Sequence, residues 1–380
     1  MKLRYRILSV IIVLVALGVL SLAIAMSYTS ACGPSPPLAA GATPMKAIVH
    51  RCYGSPAVIR YEDIPKPAPA DDEVLVRVHA ASVNPLDWHR LEGTPYMVRL
   101  DAGLGKPDNP RLGVDFSGTV EAVGAKVTRF KPGDEVFGGK FGALADYVAV
   151  REERAIALKP ANISHEQAAA VAIAAITALQ GLRDKGHIRA GEKVLINGAS
   201  GGVGTFAVQI AKSYGANVTG VCSTKNLELV RSIGADQVID YSREDITHGA
   251  ERYDLILDNV STHSLLEYKR ILSPNGIYVM IGSTDPGYWF GWLWKPLQAW
   301  MLSPFTSQKF GMILAELNKD DLATLAGLMQ EGKVTPVIDK TYKLSDAAEA
   351  LRYLEKGHAR GKVVVTVETT QPGAVAVESR

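Results

Sequence analysis

The sequence predicts an α/β protein with a barrel-like domain of short strands and a doubly wound parallel sheet, preceded by one N-terminal transmembrane helix. Three observations lead to this prediction. A run of twenty uncharged residues, Ile7 to Met26, lies near the start; short strand-like segments joined by turns follow; apolar strand-like and helical segments then alternate. With 380 residues and 47% hydrophobic content, the chain is long enough to form both domains.

Residues 1–44 form a leader whose apolar run is long enough to cross a bilayer, since a helix rises about 1.5 Å per residue. Three basic residues precede the run and no further charge appears until Lys46, which predicts a cytoplasmic N-terminus and a domain on the other side. The preferred interpretation is a single-pass anchor. A cleaved secretory signal and a soluble protein starting at Met45 remain as alternatives.

Residues 45–164 are predicted to form the first part of the barrel-like domain. In "EVLVRVHAAS", Val74, Val76 and Val78 alternate with more polar residues, which is typical of a strand with one buried face. The segment "FKPGDEVFGG" places Pro132 and Gly133 between apolar runs, and this pair predicts a turn.

Residues 165–309 are predicted to form the parallel-sheet domain. Ser164 and Gln167 fit a capping box, and the nearly all-apolar "AAAVAIAAITALQGL" predicts a buried helix. Five short apolar runs then predict the strands of a parallel sheet, namely "KVLIN", "NVTGVC", "QVIDY", "YDLILDN" and "GIYVMIG".

Residues 310–380 are predicted to return to the first domain. They contain a predicted helix over "GMILAELNKDDLATLAGLMQEG", a second helix over "SDAAEALRYLEKGH" and a final strand "KVVVTV".

Charge and cysteine content exclude several classes of protein. The formal net charge is only +2, with 41 basic and 39 acidic residues, so no basic surface favours a nucleic-acid partner. Cys32, Cys52 and Cys222 are odd in number and scattered, which argues against a disulfide framework and against a cysteine-cluster zinc site.

A glycine-rich turn lies between the first strand and the first helix of the predicted sheet. Its frame is that of a dinucleotide-binding fingerprint, with Ala199 at the first glycine position. Gly201 would let the backbone approach a pyrophosphate, and Gly204 would permit close packing of the helix on the strand. The helix N-terminus would supply amides and a positive dipole end. The predicted phosphate-binding residues are Ala199, Ser200, Gly201, Gly202, Val203 and Gly204.

The end of the second strand favours NADPH over NADH. Enzymes that use NAD normally carry an acidic residue there to bind the ribose 2′-hydroxyl group, whereas this chain has Ser223, Thr224 and Lys225. A cation with hydroxyl donors suits a 2′-phosphate, which a carboxylate would repel.

The region from Met45 to Val367 resembles the medium-chain dehydrogenase/reductase superfamily, in its zinc-free quinone oxidoreductase (zeta-crystallin-like) branch. The residues that carry the resemblance are "ASVNPLDW", "GVDFSGTVEAVG", "FKPGDEVFG", "AAITALQGL", "NGASGGVG", "GADQVIDY" and "GKVVV". The resemblance implies a GroES-like catalytic domain, made from both ends of the chain, around an inserted Rossmann domain, with the active site between them. It also implies that Tyr241, with Ser223 and Lys225, lies near the 2′-phosphate, and that Thr177, Asn259 and Ser283 line the nicotinamide side.

The zinc-dependent members of the family carry Cys near the position of Asn84 and Gly-His-Glu around position 114, where this chain has Gly113-Val114-Asp115. Amide and valine side chains cannot replace thiolate and imidazole as ligands, so no metal is expected.

The predicted reaction is hydride transfer from NADPH to a quinone or an α,β-unsaturated carbonyl. Such acceptors spread the incoming charge over a conjugated system and need no Lewis acid. Asn84, Tyr96 and His89 are the candidate catalytic residues, as hydrogen-bond donors to the developing enolate or phenolate. A nucleotide-binding structural or sensor protein without turnover is one alternative, and an alcohol dehydrogenase is another.

A tryptophan-rich insert departs from the family pattern. In "GYWFGWLWKPLQAWMLSPF", four of the five tryptophans lie within twelve residues. One hypothesis is that the insert dips into lipid, because tryptophan favours the membrane interface. The alternatives are a substrate-pocket lid and a homodimer contact. The side of the membrane stays open, because the charge bias places the domain where no NADPH supply is expected.

Overall fold

The computed structural model describes residues 2–282, 287–289 and 291–368. A barrel-like sheet and a six-stranded parallel sheet follow one long N-terminal helix, α1 (Lys2–Ser27), so the predicted α/β architecture is confirmed. The helix α1 contains one stretch, Ser9–Ser27, whose length and composition are sufficient to cross a membrane.

The barrel domain contains strands from both ends of the described chain. Its strand order is β14-β15-β3-β4-β5-β7, β6 pairs with β3, and β1 and β2 form a separate hairpin. Leu344, Leu351 and Val365 share its core with Val76 and Phe116. The strands are β1 (Pro44–Val49), β2 (Arg60–Pro65), β3 (Glu73–Val83), β4 (Asp115–Val123), β5 (Glu135–Gly139), β6 (Tyr147–Arg151), β7 (Ile156–Leu158), β14 (Ile338–Lys343) and β15 (Lys362–Thr366).

The second sheet is parallel throughout its described pairs, with the strand order β10-β9-β8-β11-β12-β13. The first of these strands along the chain, β8, lies in the middle, so the strand order reverses beside it. In such sheets ligands bind in the crevice at this switch point. The strands are β8 (Lys193–Asn197), β9 (Asn217–Cys222), β10 (Gln237–Asp240), β11 (Tyr253–Asp258), β12 (Leu272–Met280) and β13 (Lys309–Met312).

Helices cover both faces of the parallel sheet and close the barrel. Ile176 and Leu179 lie in one core with Leu322 and Leu325, so helices before and after the sheet pack together. The helices after α1 are α2 (Pro85–Glu92), α3 (Arg99–Ala102), α4 (His165–Ala169), α5 (Ala172–Gln180), α6 (Gly202–Ser213), α7 (Leu227–Ser232), α8 (Leu265–Ile271), α9 (Gly291–Leu302), α10 (Lys319–Gln330) and α11 (Ala347–Glu355).

The prediction of a helix that starts at Gly311 is wrong for residues 311–318. Residues 309–312 form β13 and pair with β12. The helix α10 starts only at Lys319, because the Asn318 side chain accepts a hydrogen bond from the Asp321 amide and caps it. The predicted domain boundary at 309/310 therefore falls inside β13. The other predicted boundaries remain predictions.

One disulfide is present, although the number and spacing of the cysteines argued against a disulfide framework. Cys32 and Cys52 are bonded, with their Cα atoms 4.8 Å apart, and this bond ties the leader to the barrel. The two residues are 20 positions apart, and only the folded path of the leader brings them together. Cys222 is a buried free thiol.

Candidate active site

The glycine-rich turn lies at the switch point of the parallel sheet, between β8 and α6. Gly201 is the N-cap of α6 and has an extended backbone. A Cβ atom on Gly204 would lie 2.1 Å from the Gly198 carbonyl oxygen, a contact that backbone atoms cannot relieve. A Cβ atom on Gly201 would meet only that oxygen, at 3.4 Å. Gly204 therefore permits tight packing of helix on strand, while the space above Gly201 is open for a ligand.

Two side-chain amides flank this turn, of the buried Asn226 and the half-buried Asn259, and each has a buried oxygen without a partner among the described residues. The Asn226 Nδ2 atom donates to the Ser200 Oγ atom at 2.9 Å, and its Oδ1 atom is buried without a hydrogen bond. On the other side, the Asn259 Nδ2 atom donates to the Asn197 carbonyl oxygen at 2.7 Å, and its Oδ1 atom is also unpaired. Buried acceptors are normally paired. The two Oδ1 atoms are therefore available to accept hydrogen bonds from a bound ligand.

A dinucleotide fits these features. The open turn and the amides of α6 suit a pyrophosphate, and the two unpaired amide oxygens suit hydroxyl and amide donors of the rest of the molecule. Ala199 and Ser200 are buried in the turn, and Gly202 and Val203 start the helix above it. The predicted phosphate-binding residues thus lie together.

The residues predicted for the 2′-phosphate lie at the ends of β9 and β10. Lys225 and Tyr241 are exposed, and Ser223 is half-buried. Thr224 differs from the expectation, because its hydroxyl group donates to the Asp240 Oδ2 atom at 2.5 Å. Because the Thr224 hydroxyl proton is engaged by Asp240, Thr224 cannot donate it to a phosphate at the same time. The sequence analysis did not identify Asp240 as part of this site.

The residues predicted for the nicotinamide side are only partly placed. Thr177 donates to the Ile173 carbonyl oxygen at 2.7 Å within its own helix, and its side chain is half-buried. Asn259 flanks the glycine turn as described above. Ser283 lies outside the described residues.

Asn84 lies in a buried network of charged and polar groups, together with Asp115 and Lys362. Its Nδ2 atom donates to the Asp115 Oδ2 atom at 3.0 Å, and its Oδ1 atom accepts from the Lys362 ammonium group. The Lys362 ammonium group also lies 3.3 Å from Asp115, and both side chains are almost fully buried. Asn84 itself is 2% exposed. Both ends of its amide are therefore engaged within the protein, and the expectation that it donates freely to a substrate is not supported by its contacts.

The network touches the glycine-rich turn directly. Gly361 forms a backbone bridge with Gly201, and a Cβ atom on Gly202 would lie 3.2 Å from the Lys362 Cδ atom. The start of β15 thus joins the barrel to the turn, and Lys362 links the predicted phosphate site to Asn84.

These residues do not fit a zinc ion. Val114 has no donor atom, Asn84 offers only an amide, and the Lys362 ammonium group already provides the positive charge beside Asp115. Within the described ranges, no cluster of three or more His, Cys, Asp or Glu side chains could hold a metal ion.

His89 is half-buried and pairs with a backbone carbonyl oxygen. Its Nδ1 atom lies 2.8 Å from the Thr94 carbonyl oxygen, which can only accept, so Nδ1 carries the proton. Burial lowers the pKa of His89, which keeps the ring neutral and leaves Nε2 as an acceptor. These contacts do not support His89 as a donor to a developing enolate, and that role remains a prediction.

Tyr96 lies at the contact between the barrel and the tryptophan-rich insert. Its amide donates to the Tyr288 carbonyl oxygen at 2.9 Å, and its ring centroid lies 4.7 Å from that of Trp289. The Arg99 guanidinium group stacks on the other part of the ring. The structure does not bring Tyr96, His89 and Asn84 into one hydrogen-bonded group.

Sequence reasoning missed Lys362, Asp115 and Asn226. A usable signal existed for Lys362, because a lysine at the start of a strand as apolar as "KVVV" must be paired if it is buried. Asn226 gave no such signal, since its contact with Ser200 joins two separate loops.

Asp87 gives the network a measurable pH dependence. Burial and the nearby Asp115 carboxylate raise the pKa of Asp87 from 3.8 to about 7. Between these values the unfolded chain loses the proton and the folded chain keeps it, so folded stability falls as pH rises. Relative to Asp87→Asn, the wild-type protein should lose up to ~1.4 kcal/mol of stability per pH unit over that range.

Denaturant unfolding of both proteins at several pH values from 4.5 to 7.5 measures this difference. The Asn84 amide hydrogen bond to the residue 87 side chain can persist in the variant, so the comparison isolates ionisation. If the free energies of unfolding of the wild type and Asp87→Asn change in parallel with pH, Asp87 does not have the raised pKa assigned to it.

Comparisons with known proteins show the family of this chain. Residues 70–161 match the model of an alcohol dehydrogenase GroES-like domain, and residues 233–365 match that of a zinc-binding dehydrogenase. A trans-enoyl reductase of Aspergillus terreus is 36% identical over 327 residues, which cover 79% of this chain and 87% of the relative. A chloroplastic NADPH-dependent alkenal/one oxidoreductase of Arabidopsis thaliana is 36% identical over 338 residues, covering 84% and 79% of the two chains. The structure of the quinone oxidoreductase from Coxiella burnetii superposes with a TM-score of 0.75 and 29% identity, over 86% of this chain and 100% of the other.

A glycine-rich turn at the switch point of a parallel sheet, bridged to a barrel that has Asn84 and Val114 at the positions of the family's zinc ligands, is typical of a nicotinamide-dependent oxidoreductase without catalytic zinc. The chain belongs to the medium-chain dehydrogenase/reductase superfamily, in the zinc-free quinone oxidoreductase branch. The family model carries the description "zinc-binding dehydrogenase". The side chains of this chain at the corresponding positions, Asn84 and Val114, are not suited to bind zinc.

Proposed function

We propose that this protein uses NADPH to reduce a quinone or an α,β-unsaturated carbonyl compound. The observation that carries the proposal is the direct junction between the glycine-rich turn and the buried Lys362–Asn84–Asp115 network. The coenzyme, when bound, supplies the hydride. The names of the relatives, a trans-enoyl reductase and an alkenal/one oxidoreductase among them, support this substrate class.

The residues of the chain then have separate tasks. The turn from Ala199 to Gly204 holds the pyrophosphate. Lys362 keeps a positive charge at the junction, and Asn84 positions its ammonium group. Tyr96, half-buried beside the insert, is the remaining candidate among the three predicted catalytic residues for contact with the acceptor.

NADPH is favoured over NADH because β9 ends without an acidic residue and with the exposed Lys225. The nearby Asp240 carboxylate does not remove this preference, since hydroxyl donors from Thr224 and Ser242 bind it. We propose that Lys225, with Tyr241 and Ser223, binds the 2′-phosphate.

Steady-state oxidation of NADPH and NADH by the purified protein, with a panel of quinones and enones, tests this function. Lys225→Met should raise the KM for NADPH by roughly tenfold, the loss of about one charge-assisted hydrogen bond, and leave that for NADH unchanged. Lys193→Met is the matched control, because Lys193 is paired with Glu251 on the surface. If no panel member oxidises NADPH, the proposed reductase function fails. If Lys225→Met changes the KM for both coenzymes equally, Lys225 does not bind the 2′-phosphate.

We further propose that α1 anchors the protein in a membrane. Its apolar stretch Ser9–Ser27 is almost entirely unburied in the structure. Residues after it are fixed to the barrel, since the Arg99 Nη1 atom donates to the Tyr28 carbonyl oxygen at 2.7 Å.

A further inference from the structure

We propose that the protein has a lipid-facing surface beside Tyr96, and that this surface lies in the interfacial region of the membrane that α1 enters. The proposal rests on the proposed anchor. We define the lipid-facing surface by its exposed side chains from three segments, which are Tyr28, Leu100, Tyr288, Trp294, Trp300 and Phe305.

The helix α9 exposes apolar residues where a helix on a water-facing surface carries polar ones. Trp294, Leu297 and Met301 are exposed and follow the i, i+3, i+7 spacing of one helix face. Ala299 and Leu302 pack inward against the core of the parallel sheet. The helix is therefore apolar on both faces, with only one of them covered.

The outer face of this segment is also without charge. From Tyr288 to Phe305 the only charged residue is Lys295. Its ammonium group points to the protein, where it donates to the Ser261 carbonyl oxygen at 2.5 Å. An uncharged face rich in tryptophan suits the boundary between lipid headgroups and acyl chains.

The same surface continues to the end of α1. Arg99 and Gly105 bind the backbone of Tyr28 and Ser30, the latter at 2.8 Å between the Ser30 amide and the Gly105 carbonyl oxygen. Leu100 and Leu104, in the segment between them, are 55% and 51% exposed.

Tyr96 connects this segment to the insert, because its backbone amide donates a hydrogen bond to the Tyr288 carbonyl oxygen and its ring contacts that of Trp289. A membrane that holds α1 is therefore adjacent to the insert.

A bilayer is favoured over a second copy of the chain as the partner of this surface. The surface adjoins the end of a helix whose apolar sides need lipid along Ser9–Ser27. With the surface in lipid, Tyr96 lies at the membrane, and an apolar quinone or enone reaches it from the bilayer.

Tryptophan quenching in vesicles tests the proposal with the full chain. The protein is reconstituted into phosphatidylcholine vesicles with and without brominated acyl chains, which quench tryptophans in contact with them. Four of the five tryptophans lie in the insert, so we expect a roughly twofold loss of emission in the brominated vesicles. Combined Trp294→Ser and Trp300→Ser changes should remove most of that quenching, because these are the two exposed rings that the structure places on the surface.

Trp88→Phe is the matched control and should leave the quenching unchanged, since the Trp88 Nε1 atom is buried in the barrel domain. Circular dichroism checks that each variant folds. The quenching of the wild-type protein tests the proposal even if a variant fails to fold. Failure to float with vesicles would overturn the anchor and this surface together, whereas flotation without quenching would overturn the surface alone. Cross-linking that detects a dimer in the wild type and not in the double serine variant would assign the surface to a homodimer instead. NADPH oxidation in detergent reports on the reductase separately from all of these outcomes.

Discussion

Replacing Lys362 by methionine is expected to lower the free energy of unfolding by about 3–5 kcal/mol. The substitution keeps most of the side-chain volume and removes the ammonium group that pairs with Asp115 at 3.3 Å. Both residues are almost fully buried, so the Asp115 carboxylate would lose its positive partner without gaining water. Denaturant unfolding measures the change.

The matched control is Lys193→Met, which breaks an ion pair whose two side chains are each about half exposed. It should cost less than about 1 kcal/mol. Adding Asp115→Asn to Lys362→Met should recover part of the lost stability, because the stranded charge disappears. A cost for Lys362→Met as small as that of the control, with no recovery in the double variant, would show that the buried pair does not hold the junction.

Replacing Gly204 by alanine is expected to cost about 1–3 kcal/mol or more and to weaken coenzyme binding severely. The new methyl group would lie 2.1 Å from the Gly198 carbonyl oxygen and 2.8 Å from two backbone atoms of Ala199. To relieve these contacts, α6 must move away from β8, and the phosphate-binding turn moves with it.

Gly201→Ala is the matched variant, and it separates binding from stability. Its methyl group would meet protein only at 3.4 Å, and the backbone of Gly201 is extended, so stability should change by less than about 0.5 kcal/mol. The methyl group would still project into the space predicted for the pyrophosphate, and the Kd for NADPH should rise by roughly tenfold or more, the equivalent of about 1.4 kcal/mol. Calorimetry and thermal unfolding measure the two quantities. Unchanged coenzyme affinity in Gly201→Ala would remove the turn from the binding site.

Local patterns in the sequence were sufficient for most elements of the parallel sheet. The five predicted strands and the capping box at Ser164 occur where their apolar runs and capping residues lie, because these signals act between near neighbours in the chain. The single helix predicted after this cap is divided at residues 170–171 into α4 and α5. The prediction failed at residues 311–318. An apolar stretch there was assigned to a helix, but pairing of Lys309–Met312 with β12 outweighs a local helical pattern.

The candidate site shows the same division. The glycine spacing predicted the turn, because the turn is built from one short segment and its chemistry depends on which residues lack a side chain. The role of Asn84 could not be predicted in this way. Its two partners, Asp115 and Lys362, lie on strands from opposite ends of the domain, and the sequence gives no distance between them.

The sequence by itself determined most of the strands and helices, the glycine-rich turn, the residues that replace zinc ligands and the apolar leader, because each is a property of residue type and spacing along the chain. Only the tertiary structure decided which polar groups form hydrogen bonds and ion pairs with one another. In the structure the Thr224 hydroxyl group donates to Asp240, His89 Nδ1 pairs with the Thr94 carbonyl oxygen, Cys32 is bonded to Cys52, and the buried Lys362 pairs with Asn84. Hydrogen bonds and ion pairs act over a few ångströms in space, and the chain brings such groups together only after its cores have packed.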